Sequence, residues 1–219
     1  MHTRDILAIG TSAGGVEALV SLVQSFSPSF PAAILITIHL PSQFSSELDR
    51  VLSIAGPLPA RFARNGEPVN KGRIYLAPPG YHLLIDRDQL VLGSGPRENK
   101  ARPAIDPMLR SVALCCGGRA MGAVLTGTLD DGAAGLSALG QCGGVTIVQD
   151  PRDATHPEMP ISAINRFQPD YVVPLTAMPA LLENLVNQPA VATMVASRRL
   201  RLEVELAKGG EPLMGAMDH

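Results

Sequence analysis

The sequence predicts a three-layer α/β/α domain on a mainly parallel, doubly wound sheet, with a small β-hairpin. Three observations carry this. Short apolar runs such as Ile6 to Gly10 and Ala33 to His39 are bounded by turn signals, which suits parallel strands covered on both faces. Segments with apolar residues at helical spacing alternate with these runs. The composition fits a single folded core: 219 residues, 46% apolar and 17% charged, exclude a disordered chain.

The elements follow in order. Ile6 to Gly10 is the first strand and Val16 to Phe26 a helix. Ala33 to His39 is a buried strand stopped by Pro41, and Ser46 to Ile54 reads as helical. Gly72 to Ala77 is a short strand ended by Pro78-Pro79-Gly80. His82 to Ile85 and Gln89 to Leu92, around Asp86-Arg87-Asp88, form the hairpin, and Gly93 to Pro103 is a polar loop. Asp106 to Cys116 is a helix with Asp106 at its N-cap and Pro107 at its first position. Met121 to Thr126 is a strand, Gly127 to Asp131 a turn, and Gly132 to Gln141 a small-residue helix.

Val145 to Gln149 is a strand and Asp150 to Pro160 a loop. Ile161 to Phe167 is a helix, Tyr171 to Pro174 a strand, and Met178 to Asn187 a helix. Gln188-Pro189 marks a boundary between a domain over 1–188 and a segment over 189–219. From Ala190 to Lys208 the period is ambiguous. Arg199 to Leu206 alternates like a strand. Val191, Met194, Val195, Leu202 and Leu206 fit a charged helix packed outside the main domain, which is the favoured reading. The last eleven residues read as unstructured.

Composition excludes several functions. A formal net charge of −2, three Tyr, five Phe and no Trp leave neither a basic field nor a stacking platform, so no nucleic-acid partner is expected. The longest apolar stretches, such as Ala32 to Ile38, are too short to span a bilayer, and no signal-peptide pattern precedes the first strand. The expectation is a cytoplasmic protein that is not inserted in a membrane. Cys115, Cys116 and Cys142 form no C-x-x-C pair and read as buried thiols in a reducing compartment. No metal and no cofactor are expected.

Gly10-Thr11-Ser12-Ala13-Gly14 fits the G-x-S-x-G pattern of a nucleophile elbow, whose small residues permit a tight strand-to-helix turn. On that segment alone, Ser12 could equally be a helix N-cap. The strand ends add to the argument. Ligands of open parallel sheets sit outside the carboxyl ends of the strands. Ser12 follows the first strand, His39 closes the second, and Asp130-Asp131 follow Met121 to Thr126. An alcohol, an imidazole and a carboxylate on one edge are the parts of a serine hydrolase, whatever their chain order. Taken singly, His39 could be a strand-end histidine satisfied by backbone, and Asp131 the cap of the helix after it. His156 could line the same edge, and His82 reads as structural. Arg97, Lys100 and Arg102 read as a solvated run. A phosphate site at Gly14-Gly15 lacks both the G-x-G-x-x-G spacing and a P-loop lysine.

Most of residues 6–187 resembles the catalytic domain of the CheB-type chemotaxis protein-glutamate methylesterases. The resemblance is carried by Ala8-Ile9-Gly10-Thr11-Ser12-Ala13-Gly14-Gly15, Ile38-His39-Leu40-Pro41, Tyr75-Leu76-Ala77-Pro78-Pro79-Gly80, Arg102-Pro103-Ala104-Ile105-Asp106, the block from Leu125 to Gly135, and Met159-Pro160. It implies Ser12 as nucleophile, His39 as base and Asp131 as the acid, with Asp130 at a variable position. It places oxyanion-binding backbone N–H groups near Ala13 and Thr128.

The implied reaction is hydrolysis of glutamyl methyl esters, with glutamine deamidation as a related activity. The implied substrate is a methylated chemoreceptor-like protein. A receptor methyltransferase or a separate receiver protein is the further partner expected. Ala13 stands where the family often has Thr, Thr128 where it often has Met, and Leu129 where it has a glycine, restricting φ. These departures keep open the alternative of a catalytically weakened module that binds a receptor or methyltransferase. The first strand begins at Ile6, so no receiver domain is expected ahead of it.

Overall fold

The protein is described here by a computed structural model covering residues 3–39 and 47–209. Its main sheet has seven strands: β1 (Ile6–Thr11), β2 (Ala33–Ile38), β3 (Ala60–Phe62), β4 (Ile74–Leu76), β7 (Ala120–Val124), β8 (Val145–Gln149) and β9 (Tyr171–Val173). Their order is β3-β4-β2-β1-β7-β8-β9, and every pairing is parallel. The remaining two strands, β5 (His82–Asp86) and β6 (Gln89–Gly93), form the antiparallel hairpin. Its two-residue turn, Arg87-Asp88, has both residues at left-handed φ, 48° and 61°, the hand that matches strand twist.

Alternation along the strands divides the interior into two layers. Ile6, Ala8, Ala33 and Leu35 face one side, and Leu7, Ile9, Ile34 and Ile36 the other. The first side is covered by α3 (Ile105–Cys116), α4 (Ala133–Gln141) and α5 (Glu158–Arg166), with α7 (Arg198–Lys208) packed outside them on α3 and the hairpin. The second is covered by α1 (Gly15–Gln24), α2 (Leu48–Ala55) and α6 (Met178–Val186). A strand buried on both faces needs apolar residues at every position, which is why the strands read as unbroken runs. The three-layer expectation holds. Because β1 lies between β2 and β7, the strand order reverses beside it, and the loops after β1 and β7 diverge into a crevice.

Four expectations need correction. β3 went unread, because three half-buried residues carry no period. α3 starts at Ile105 with Ala104 as N-cap, so Asp106 and Pro107 lie within its first turn, where a missing N–H is tolerated. In α7 the buried residues are Leu200, Val204 and Ala207; Leu200 and Val204 join the cluster that includes α3, Ala207 lies against Gly93 and Gly95, Val191, Met194, Leu202 and Leu206 stay exposed, and Val195 is 93% exposed. Cys115 is exposed, and only Cys116 and Cys142 are buried. Burial pushes the Cys116 thiol up to about 12, which leaves it inert. Pro41 and the last ten residues lie outside the described residues. No helix among the described residues is long and apolar enough to cross a membrane.

Candidate active site

The turn after β1 is fixed by close packing. A Cβ on Gly10 would lie 2.2 Å from Ile105 Cγ2. Gly14 takes the left-handed conformation, φ 73°, as N-cap of α1, so the capping role considered for Ser12 belongs to Gly14. The Ser12 N–H donates to Thr126 O at 3.0 Å, and Thr11 Oγ1 donates to the same carbonyl at 2.8 Å. These bonds tie the turn to the end of the β7 segment and leave the Ser12 side chain half-buried on the carboxyl edge.

His39 directly follows β2. Its Nδ1 lies 3.2 Å from Ser12 Oγ and its Nε2 2.7 Å from Asp131 Oδ2. An ionised carboxylate only accepts, so Nε2 carries the proton and Nδ1 is free to accept from the serine hydroxyl. The ring is turned over relative to the serine-protease template, in which Nε2 faces the serine. The relay of one donor and one acceptor is the same. His39 is not satisfied by backbone, and its side chain is 22% exposed.

Asp131 is 1% exposed and does not cap its own helix, which Gly132 caps at φ 96°. It instead caps α3 from across the fold. Oδ2 accepts from the Ile105 N–H at 2.7 Å, and Oδ1 from the Asp106 N–H at 3.0 Å and Asn99 Nδ2 at 2.8 Å. The Asp106 side chain returns the arrangement. Its Oδ1 accepts from the N–H groups of Gly132 and Gly135 at the start of α4, at 3.0 and 2.7 Å. Burial pushes the Asp131 carboxyl up. The hydrogen bonds from His39 and the α3 amides, together with the His39 charge, outweigh it and hold Asp131 below the usual carboxylate range. Burial and the Asp131 charge push Asp106 up to about 6.

The profile of the CheB methylesterase family matches residues 7–182. The chain belongs to the CheB methylesterase family. It is similar to a protein-glutamate methylesterase/protein-glutamine glutaminase of Methanosarcina mazei, 36% identical over 80% of this chain and 50% of that relative. A protein of the same description from Xanthomonas oryzae pv. oryzae is 40% identical over 79% of this chain and 49% of its own length. The chain thus spans about half the length of the curated relatives it matches. The crystal structure of the CheB methylesterase catalytic domain of Thermotoga maritima superposes with a TM-score of 0.80 at 30% identity, covering 85% of this chain and all of that domain.

Of the three positions expected to depart from the family pattern, Thr128 and Leu129 are exposed and Ala13 is half-buried. Among the described residues, the N–H groups of Ala13 and Thr128 have no protein acceptor. Leu129 stands at φ 68° with 67% of its surface exposed. The restriction expected from replacing glycine there is real, and the loop keeps the left-handed turn regardless. His156 contributes through its backbone: its N–H donates to Thr126 Oγ1 at 2.9 Å, and its carbonyl accepts from the Gly127 N–H at 2.9 Å. His82 is structural as expected. Its Nε2 faces Pro96 O at 2.9 Å, and its Nδ1 accepts from the Ala104 N–H at 3.2 Å, steadying the start of α3. Arg102 donates to the carbonyls of Ser94 and Gly95, each at 2.7 Å, so it is not part of a solvated run; Arg97 and Lys100 are exposed.

Sequence reasoning missed Asn99 and assigned Asp106 only to its own helix. One signal was present for Asn99: asparagine is among the few residues that accept left-handed φ, here 48°.

Proposed function

We propose that this chain is a serine hydrolase that removes methyl esters from glutamyl side chains of a chemoreceptor-like protein. One observation carries the reading: His39 bridges Ser12 Oγ and Asp131 Oδ2 at 3.2 and 2.7 Å on the carboxyl edge of the sheet. Ser12 is the nucleophile, His39 the general base and Asp131 the residue that fixes the tautomer. His39 Nδ1 takes the Ser12 proton as Oγ attacks the ester carbonyl. The free N–H groups of Ala13 and Thr128 receive the oxyanion. Removing one donor of this kind costs about 3–4 kcal/mol in barrier. His39 then returns the proton to the departing oxygen, methanol leaves, and water hydrolyses the acyl-serine by the same route. Glutamine would follow the same course with ammonia as leaving group.

In this reading residues 1–188 form the catalytic domain and 189–219 an appended segment whose helix, α7, docks on α3. The cytoplasm is the compartment, and a receptor methyltransferase or a separate receiver protein is a further partner. The rival reading, a weakened binding module, rested on Ala13, Thr128 and Leu129. None of these displaces the three side chains.

The test is methanol release from methyl-labelled receptor. The wild-type protein releases methanol, Ser12→Ala falls to background, and Asp131→Asn falls by up to about 10⁴, as for the equivalent change in a serine-protease triad. A wild-type rate equal to that of Ser12→Ala would favour the binding module.

A further inference from the structure

We propose that Asn99 is a positioning residue, whose side-chain amide holds the Asp131 carboxylate in the orientation that serves His39 and bridges it to the neighbouring Asp106. The inference rests on the esterase reading for its kinetic consequence, but the contact is independent of that reading. Asn99 Nδ2 lies 2.8 Å from Asp131 Oδ1 and 3.3 Å from Asp106 Oδ2. The amide nitrogen has two hydrogens, one for each acid. Both acids are more than nine-tenths buried, whereas Asn99 is exposed and lies at the outer side of the pair.

Two carboxylates this close repel, and one is driven to hold a proton unless donors satisfy both. The other groups around the pair cannot replace Asn99. Backbone amides of α3 and α4 already fill the inner lone pairs. Arg110 of α3 is engaged by Glu98 and Glu203. His82 of β5 is buried and held neutral, because burial lowers its pKa, and both its ring nitrogens are used. Asp130 is exposed, and His39 faces the opposite oxygen. Without the Asn99 donor, negative charge concentrates on Asp131, the His39 imidazolium is held more tightly, and the neutral base becomes scarcer near neutral pH. The Asp131 carboxylate is also free to rotate.

The backbone makes the position costly for any other purpose. Asn99 and Lys100 both take left-handed φ, 48° and 64°, in the tight turn between Glu98 and Ala101. Asn99→Gly therefore separates the two roles: glycine keeps the turn and removes the amide. Asn99→Ala loses both. In Asn99→Gly, kcat/KM on methylated receptor falls about tenfold at pH 7, the size expected for one hydrogen bond to a charged group. The acid limb of its pH profile moves up by about half a unit or more, and the NMR titration of the His39 Cε1 proton moves with it. Adding Asp106→Asn to Asn99→Gly reverses most of that movement. Rates and titrations of Asn99→Gly that match the wild type, with only Asn99→Ala destabilised, would overturn the proposal and leave Asn99 as a turn residue. If the wild type releases no methanol, the esterase reading fails. The His39 titration then decides the positioning claim alone: movement in Asn99→Gly supports it, and a stationary titration overturns it.

Discussion

The turn after β1 and the loop after β7 lie on the same carboxyl edge of the sheet but differ in how far packing and side-chain hydrogen bonds hold them. The first, residues 10–15, is shaped by contact. Gly10 lies under Ile105, Gly14 supplies a left-handed φ, and Gly15 N–H closes onto Ser12 O at 2.9 Å. The second, residues 127–132, is closely packed at its ends, where a Cβ on Gly127 would lie 2.1 Å from Met159 Sδ and one on Gly132 2.9 Å from Ile105 Cγ2, and is set between them by distant polar partners. Asp131 is fastened to the start of α3, and the Asp106 carboxylate fastens the start of α4 in return. The packed glycines leave no room for an added Cβ, whereas the exposed middle of the second loop carries a large side chain, Leu129 at φ 68°. Ser12 and its neighbour Ala13 thus sit on the closely packed half of the site, and the exposed residues Thr128 and Leu129 sit on the other half.

Substitutions can break this contrast. The largest effect is expected at Gly10→Ala, where a Cβ would meet the branched Ile105 side chain at 2.2 Å. Overpacking of this kind costs about 1–3 kcal/mol, or about 2–12 °C in unfolding midpoint. Because the Ile105 amide holds Asp131, methanol release should fall by about tenfold or more as well. An unchanged midpoint would show that the turn is not packing-limited.

The acid pair sharpens the contrast through pH. Asp106 is raised to about 6 in the fold, so the folded state binds its proton more tightly than the unfolded chain does. Its contribution therefore weakens as pH rises from about 4 to about 6, by an amount on the order of 1–3 kcal/mol. Asp131 is lowered, so its contribution is present above about pH 4 and is lost only as pH falls through its folded value. Denaturant unfolding between pH 4 and 6 should show the decline in the wild type and a flatter line in Asp106→Asn. The same slope in both would remove Asp106 as its source.

The smallest effect is Leu129→Gly. A left-handed leucine costs about 1–2 kcal/mol, partly offset by the backbone entropy of glycine, leaving about 0.5–1 kcal/mol of stabilisation. A lower midpoint in this variant would mean that Leu129 makes a contact outweighing its strain.

The same contrast explains what could be read from sequence. The sheet and its helices were legible because burial on both faces writes itself as continuous apolar runs. The elbow was legible because tight contact demands small residues at fixed spacing. That Ser12, His39 and Asp131 come together was legible because Ser12 and His39 directly follow β1 and β2 and Asp131 lies in the turn between β7 and α4. What could not be read depends on long-range pairing. Nothing local distinguishes an aspartate that caps its own helix from one that caps another helix, as Asp131 and Asp106 do for α3 and α4. α7 was misread in detail because Leu200, Val204 and Ala207 share their stretch with Leu202 and Leu206, and only the surfaces of α3 and the hairpin decide which set is buried.

The central claim, that His39 activates Ser12, can be tested without a receptor. A fluorophosphonate probe followed by peptide mapping should label Ser12 in the wild type, and His39→Ala should lose nearly all of that label. Equal labelling of Ser12 in both proteins, or labelling at another residue alone, would contradict the account.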